Sequence, residues 1–209
     1  MHLDINQFLS STILLVVLLN PFLMSIYLLD LIESLDERLF SSILMRGSVV
    51  AILVFWIFAV GGDAIFSRLF QVRFASFLIF GGVLFVSIAL KFAQSGPEAL
   101  SQLRGKPEHV AGSVAMPFMV GPATVSASVL AGAHLPLVWA LASIGSAMLV
   151  TILGLLALKW LHSFVRQRNE ALVRRYIDIV GRSSALLIGT IAIDMIINGV
   201  ELWWGLRNQ

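Results

Sequence analysis

The residues best suited to chemistry in this chain are two prolines set inside long apolar runs, at Asn20-Pro21 and Gly121-Pro122, and a carboxylate about halfway along a third run, Asp194. Proline removes a backbone N–H and clashes with the carbonyl one turn back, so each pair ends one helix and lets another begin. In a hydrocarbon core no water satisfies the freed backbone groups, and such a break persists only against protein or a wet cavity. Asn20 suits an N-cap with Pro21 as the first helical residue; Gly121 is a poorer cap before Pro122. A restarted helix presents unpaired N–H groups and roughly half a positive charge, which receive an anion. The half-helix ends before Asn20 and before Pro117 expose carbonyls that suit an ammonium group or a cation. A zwitterionic amino acid carries both charges. Ser25 beside the first break, and Thr124 and Ser126 beside the second, add hydroxyls to such a pocket.

Asp194 is followed one turn later by Asn198, on the same helix face. A carboxylate in mid-membrane costs at least about 2.5 kcal/mol on insertion scales, so Asp194 is expected to face the bundle interior and be partnered or protonated. There it would couple transport to a proton or cation, or hold a substrate amine; a structural hydrogen bond to a neighbouring span is the competing use. Asn198 joins the candidate substrate-binding set. Ala123, Ala127 and Ala131, with Gly132 beside them, repeat at the spacing that lets helix backbones approach, and read as packing. His2, His109, His134 and His162 have unrelated spacings, so no metal site is expected. There is no cysteine, and no nucleophile elbow, phosphate-binding loop or zincin motif. Neither an enzyme nor a cofactor is expected.

The elements that position these residues are membrane helices. The chain is 58% hydrophobic with mean hydropathy +0.93, and only 12% of its residues are charged, against about 25% in soluble domains. Apolar runs near 7 to 32, 43 to 62, 74 to 92, 113 to 133, 136 to 161 and 183 to 204 give six spans. The connecting loops on one side then hold eleven Lys and Arg, Lys159 among them, and the other side three, which puts both termini outside the cytoplasm. The same rule explains the net charge of +2 without a nucleic-acid partner. No cleavable signal is expected at the start, which lacks a cationic segment.

A Gly/Pro-bearing connector, 94 to 112, separates a first three-span repeat, 1 to 93, from a second, 113 to 209. Three is odd, so the halves run in opposite senses, as in inverted-repeat transporters. Pro21 and Pro122, Ser25 and Ser126, and Leu29 and Leu130 correspond between them, as do Arg73 and Arg182 with Gly81 and Gly189 shortly after.

Asn20-Pro21, Met116-Pro117 ahead of Gly121-Pro122-Ala123-Thr124-Val125, and Ile196-Ile197-Asn198-Gly199 together resemble the MarC family of bacterial inner-membrane proteins, also called UPF0056 or neutral amino acid transporter-like. The resemblance implies a six-span protein of the LysE-like superfamily and amino acid transport. It places Asn20, Pro21, Pro117, Gly121, Pro122, Thr124 and Asn198 in family motifs, whereas Asp194 stands where relatives often carry an uncharged polar residue. The expected function is alternating-access transport of small neutral amino acids or related zwitterions. A channel for small neutral solutes is the first alternative, since Asn-Pro-capped half-helices resemble those of water and glycerol channels; a non-transporting scaffold is the second. Homo-oligomers are compatible with the small-residue stripes.

Overall fold

A computed structural model of the chain describes residues 5–62, 64–69, 71–95, 119–166 and 170–207. Among these residues the regular structure is helical and no strand occurs. The helices are α1 (Ile5–Leu19), α2 (Pro21–Tyr27), α3 (Leu29–Ser34), α4 (Glu37–Gly61), α5 (Phe74–Ser95), α6 (Pro122–His134), α7 (Leu137–Arg166) and α8 (Glu170–Arg207), with a π turn at Ile65–Leu69. Five stretches are long and apolar enough to cross a membrane: Ile5–Ser25, Glu37–Gly61, Phe74–Lys91, Leu137–Phe164 and Ala185–Gly205. They match five of the six expected spans. α6, with 13 residues, is too short to cross alone. The 113 to 118 part of its span, including Met116-Pro117, lies outside the described residues, as does the connector from residue 96 onward.

The first span divides where proline forbids continuity, between α1 and α2. A second division at Leu28 was not expected, although the hydrogen bonds from Leu28 N–H to Met24 O and from Ile32 N–H to Leu28 O carry the ladder across it, each 2.8 Å. α4 starts where Asp36 Oδ1 accepts from Leu39 N–H, an N-cap bond of 3.2 Å. α8 starts at Glu170, so its backbone is already helical through the basic stretch that hydropathy alone assigned to a long loop.

α6 lies at the centre of the bundle. Residues 123 to 129 and Ala131 are all buried, the pattern of a helix covered on every side. Its small residues serve contact: a Cβ at Gly132 would collide with the backbone of Ala59 in α4. α1 runs parallel to α7, with Phe8 edge-on to Trp139, Thr12 Oγ1 bonded to Ser143 Oγ at 3.1 Å, and Pro21 beyond its end against Gly154. α5 runs antiparallel to α8, at backbone contact through Gly82 beside Ala192 and Gly199 beside Ala75. The π turn drives Phe66 into the bundle among Phe58, Phe74 and Phe77, at ring separations of 5.4, 4.9 and 4.8 Å.

Lys159 departs from expectation. Counted as a loop cation, it is buried at 4% exposure, its Nζ donating to Leu35 O at 2.7 Å and Ile32 O at 3.3 Å. The ammonium also lies 4.6 Å from the centre of the Phe40 ring. It therefore closes the C-terminal end of α3, whose carbonyls have no further helix to bond.

Candidate functional site

At the first break the chain needs a residue that stops one helix and starts the next within a single position. Asn20 does both. Its N–H donates to Val16 O at 2.9 Å, closing α1, and its carbonyl accepts from Met24 N–H at 3.0 Å, opening α2. Its Oδ1 accepts from Leu23 N–H at 3.1 Å, the N-cap bond expected of asparagine. The cost is a φ of +40°, a left-handed conformation that asparagine tolerates better than other residues with a Cβ. Pro21 follows as the first helical residue, and its ring faces Gly154 of α7: a Cβ there would lie 3.3 Å from Pro21 Cβ.

Gly121 at the second break has no side chain with which to cap, and its backbone is extended (φ −110°, ψ 169°). Thr124 supplies the cap from inside the helix. Its Oγ1 accepts from Gly121 N–H at 3.0 Å and lies 2.8 Å from Met119 O and 3.0 Å from Gly121 O, to one of which its single proton is donated. Thr124 is 2% exposed. The N–H groups of Ala123 and Thr124 stand in the first turn of α6, where no intrahelical acceptor exists. Pro122 is seated on Gly81 of α5, so closely that a Cβ at Gly81 would overlap the ring.

Both breaks reach one cavity. Asn20 and Met24 line it from the first, Ala123 and Thr124 from the second, and Phe85 of α5 and Ile188 of α8 help close it. The walls are mainly apolar, and the space between them is about 30 Å³, room for about one water. In this conformation the site holds no space for an amino acid.

The remaining candidates are placed differently. Ser25 Oγ donates to Phe22 O at 2.7 Å, a bond within its own helix. Ser126 is buried in α6 and is not among the cavity-lining residues. Asp194 and Asn198 require a correction: expected inside the bundle, both are exposed on α8, with Asn198 Nδ2 donating to Asp194 Oδ2 at 2.9 Å, and neither lines the cavity. The depth argument could not fix direction, because a partner one turn away serves Asp194 on either face.

Sequence reasoning missed the two glycine seats. Gly81 drew notice only as a repeat marker, and Gly154 sits in an apolar helix with no local signal. No group of three or more His, Asp and Glu suited to a metal ion occurs among the described residues.

Comparison with known proteins gives a consistent result. A sequence profile described as MarC family integral membrane protein matches residues 5–204. The chain is similar to a UPF0056 membrane protein of Buchnera aphidicola subsp. Schizaphis graminum (strain Sg), 20% identical over 203 residues, covering 95% of this chain and 98% of the relative. It is also similar to a UPF0056 membrane protein of Aquifex aeolicus (strain VF5), 21% identical over 204 residues, covering 93% of this chain and 92% of the relative. No solved structure matches the chain.

Proposed function

The chain belongs to the MarC family of integral membrane proteins, and from that premise we propose that it transports small neutral amino acids or related zwitterions by alternating access around the cavity at the two helix breaks. The observation that carries this reading is the shared cavity: Asn20 and Thr124, 104 positions apart in the chain, line the same small space. The free amides at the start of α6 supply donors for a carboxylate, and the helix dipole adds to them. α2 contributes less, since it has only seven residues and Asn20 already occupies its Leu23 N–H. The cavity is too small for an amino acid in this conformation, so transport requires the two halves to part and admit the substrate. Asp194, lying off the cavity, has no part in this substrate site.

Helix directions support six crossings in two inverted halves. α1 and α7 are parallel, as the pairs Phe8 with Trp139 and Pro21 with Gly154 require. With α4 and α5 crossing between them, one further crossing is needed to return the chain to that direction. The segment that ends in α6 is the candidate. α5 and α8, the third and sixth spans of this scheme, are antiparallel, as inverted repeats demand. This arrangement belongs with a LysE-like fold in a bacterial inner membrane. Setting Lys159 aside leaves the asymmetry of loop cations standing, with both termini periplasmic.

Uptake into proteoliposomes tests the proposal. Saturable flux of labelled alanine, glycine or serine, lost in a folded Pro21→Ala/Pro122→Ala double variant, is expected. Unsaturable swelling under an osmotic gradient would instead make the protein a channel, and the absence of any flux would make it a scaffold.

A further inference from the structure

Residues 21 to 34 form a short rod between two non-helical joints. Asn20, at φ +40°, is the first. Leu35 (φ −101°, ψ 146°) and Asp36 (φ −67°, ψ 164°), both extended, are the second. Between them the hydrogen bonds through Leu28 keep α2 and α3 continuous. Leu23 and Met24 of this rod line the cavity. Leu28, Leu31 and Ile32, all buried, fill the stretch from there to the second joint. The rod is thus one wall of the cavity and an apolar plug on the side where α4 begins.

At the second joint α7 grips the rod. Lys159 Nζ donates to Leu35 O at 2.7 Å and to Ile32 O at 3.3 Å, and one turn further along α7 His162 Nε2 stands 3.6 Å from Glu33 Oε1 of α3. Apolar side chains would hold this joint more firmly, since burying an ammonium carries a desolvation cost that two neutral carbonyls must offset. What the ammonium adds is a second settled arrangement: it bonds carbonyls when the joint is shut and water when it is open. Asp36 and Glu37, exposed at the start of α4, act on its charge and would receive it there. A contact with two discrete arrangements is what hinged closure uses.

We propose that Lys159 is the latch of a gate: when its ammonium leaves the carbonyls of Leu35 and Ile32, residues 21 to 34 swing from α7 about Asn20 and open the cavity to the side on which α4 begins. By the loop charges that side is the cytoplasm. The inference deepens the transport reading, on which it rests, by naming the wall that moves. Lys159 does not line the cavity, so it is a positioning residue that acts through the rod.

The chain has no cysteine, so a membrane-impermeant sulfonated maleimide reads opening at one chosen thiol, with no substrate present. Met24→Cys puts that thiol in a cavity wall 1% exposed, where the labelling rate follows the open fraction. Lys159→Met keeps an unbranched stem and removes the donors, leaving two carbonyls bare in the shut state and open to water in the other. Met24→Cys is then expected to react at least about tenfold faster, the shift for losing one hydrogen bond from a charged group. The rise is expected only from the side on which Arg38→Cys is labelled. Lys159→Gln retains an N–H donor and is expected to fall between; it carries the same comparison if the methionine variant does not fold. Ala131→Cys, buried in α6 beside Leu135 and Ala140, is expected to react no faster in any of these backgrounds. Unchanged labelling at Met24→Cys would overturn the proposal, as would a rise from both sides. An equal rise at Ala131→Cys would do so too, since the lysine would then merely hold the bundle together. Labelling and flux fail separately: one-sided opening without uptake keeps the gate and removes the carrier, whereas uptake with unchanged labelling keeps the carrier and removes the latch.

Discussion

The helix starts at Pro21 and Pro122 are capped by different chemistry. At the first, the capping side chain precedes the proline, and Asn20 reaches forward to Leu23 N–H. At the second it follows the proline, and Thr124 reaches back to Gly121 N–H. The first break holds its residue at a positive φ and leaves its proline in ordinary contact with Gly154. The second keeps an unstrained backbone and seats its proline where only glycine fits. One break is thus held by its cap and the other by its seat. A cap can come from either side of a proline, because an orphan N–H donates to any oxygen that reaches it.

The largest expected effect sharpens this contrast at the seat. Gly81→Ala puts a methyl group where the Pro122 ring lies, and α5 cannot retreat because Gly82 holds it against the α8 backbone. The cost is expected near the upper end for overpacked cores, about 3 kcal/mol, read as a large fall in thermal midpoint in detergent, with transport lost. A variant that melts like the wild type would show that the second break is not held by its seat.

Asn20→Ala comes next and removes the cap from the first break. The left-handed conformation costs alanine about 1–2 kcal/mol, and loss of the cap adds about 1 kcal/mol. Asn20→Gly recovers the conformational part and is expected to melt between alanine and wild type. Equal melting of the two variants would mean that φ contributes nothing, and the comparison would then rest on the cap bond alone.

Thr124→Val is the matching change at the second break, keeping volume and shape while deleting the hydroxyl. Gly121 N–H is left unpaired in a buried site, at a cost of about 1–3 kcal/mol. Thr124→Ser is expected to restore most of it. Since Thr124 also lines the cavity, the valine variant is expected to raise the KM for an amino acid more than Asn20→Gly does. The reverse order would put the substrate's carboxylate nearer α2.

Much of this arrangement was legible in the sequence, and the parts that were not share one physical cause. Proline and asparagine act on their own backbone, so the division at Pro21, the helix start at Pro122 and the cap at Asn20 follow from local rules. Hydropathy likewise located the five long spans, because crossing a bilayer is a property of one segment. The direction of Asp194, the burial of Lys159 and the glycine seats depend on which helix lies alongside. Composition carries no record of that: Lys159 reads as a loop cation until α3 is seen to present its bare carbonyls to it. Thr124 was named as a pocket residue but not as a cap, since the customary cap position belongs to Gly121.

The smallest effect completes the contrast from the other seat. A methyl group at Gly154 would approach Pro21 at 3.3 Å for Cβ and 3.4 Å for Cγ, tight but open to relief by a small shift of a ring at a chain break. Alanine also gains up to about 1 kcal/mol over glycine within a helix such as α7, which offsets the crowding. Gly154→Ala is therefore expected to change the thermal midpoint by only a few degrees in either direction and to leave uptake near the wild-type rate. If it proves as damaging as Gly81→Ala, Pro21 is clamped as firmly as Pro122, and the first break owes its shape to packing as well as to its asparagine.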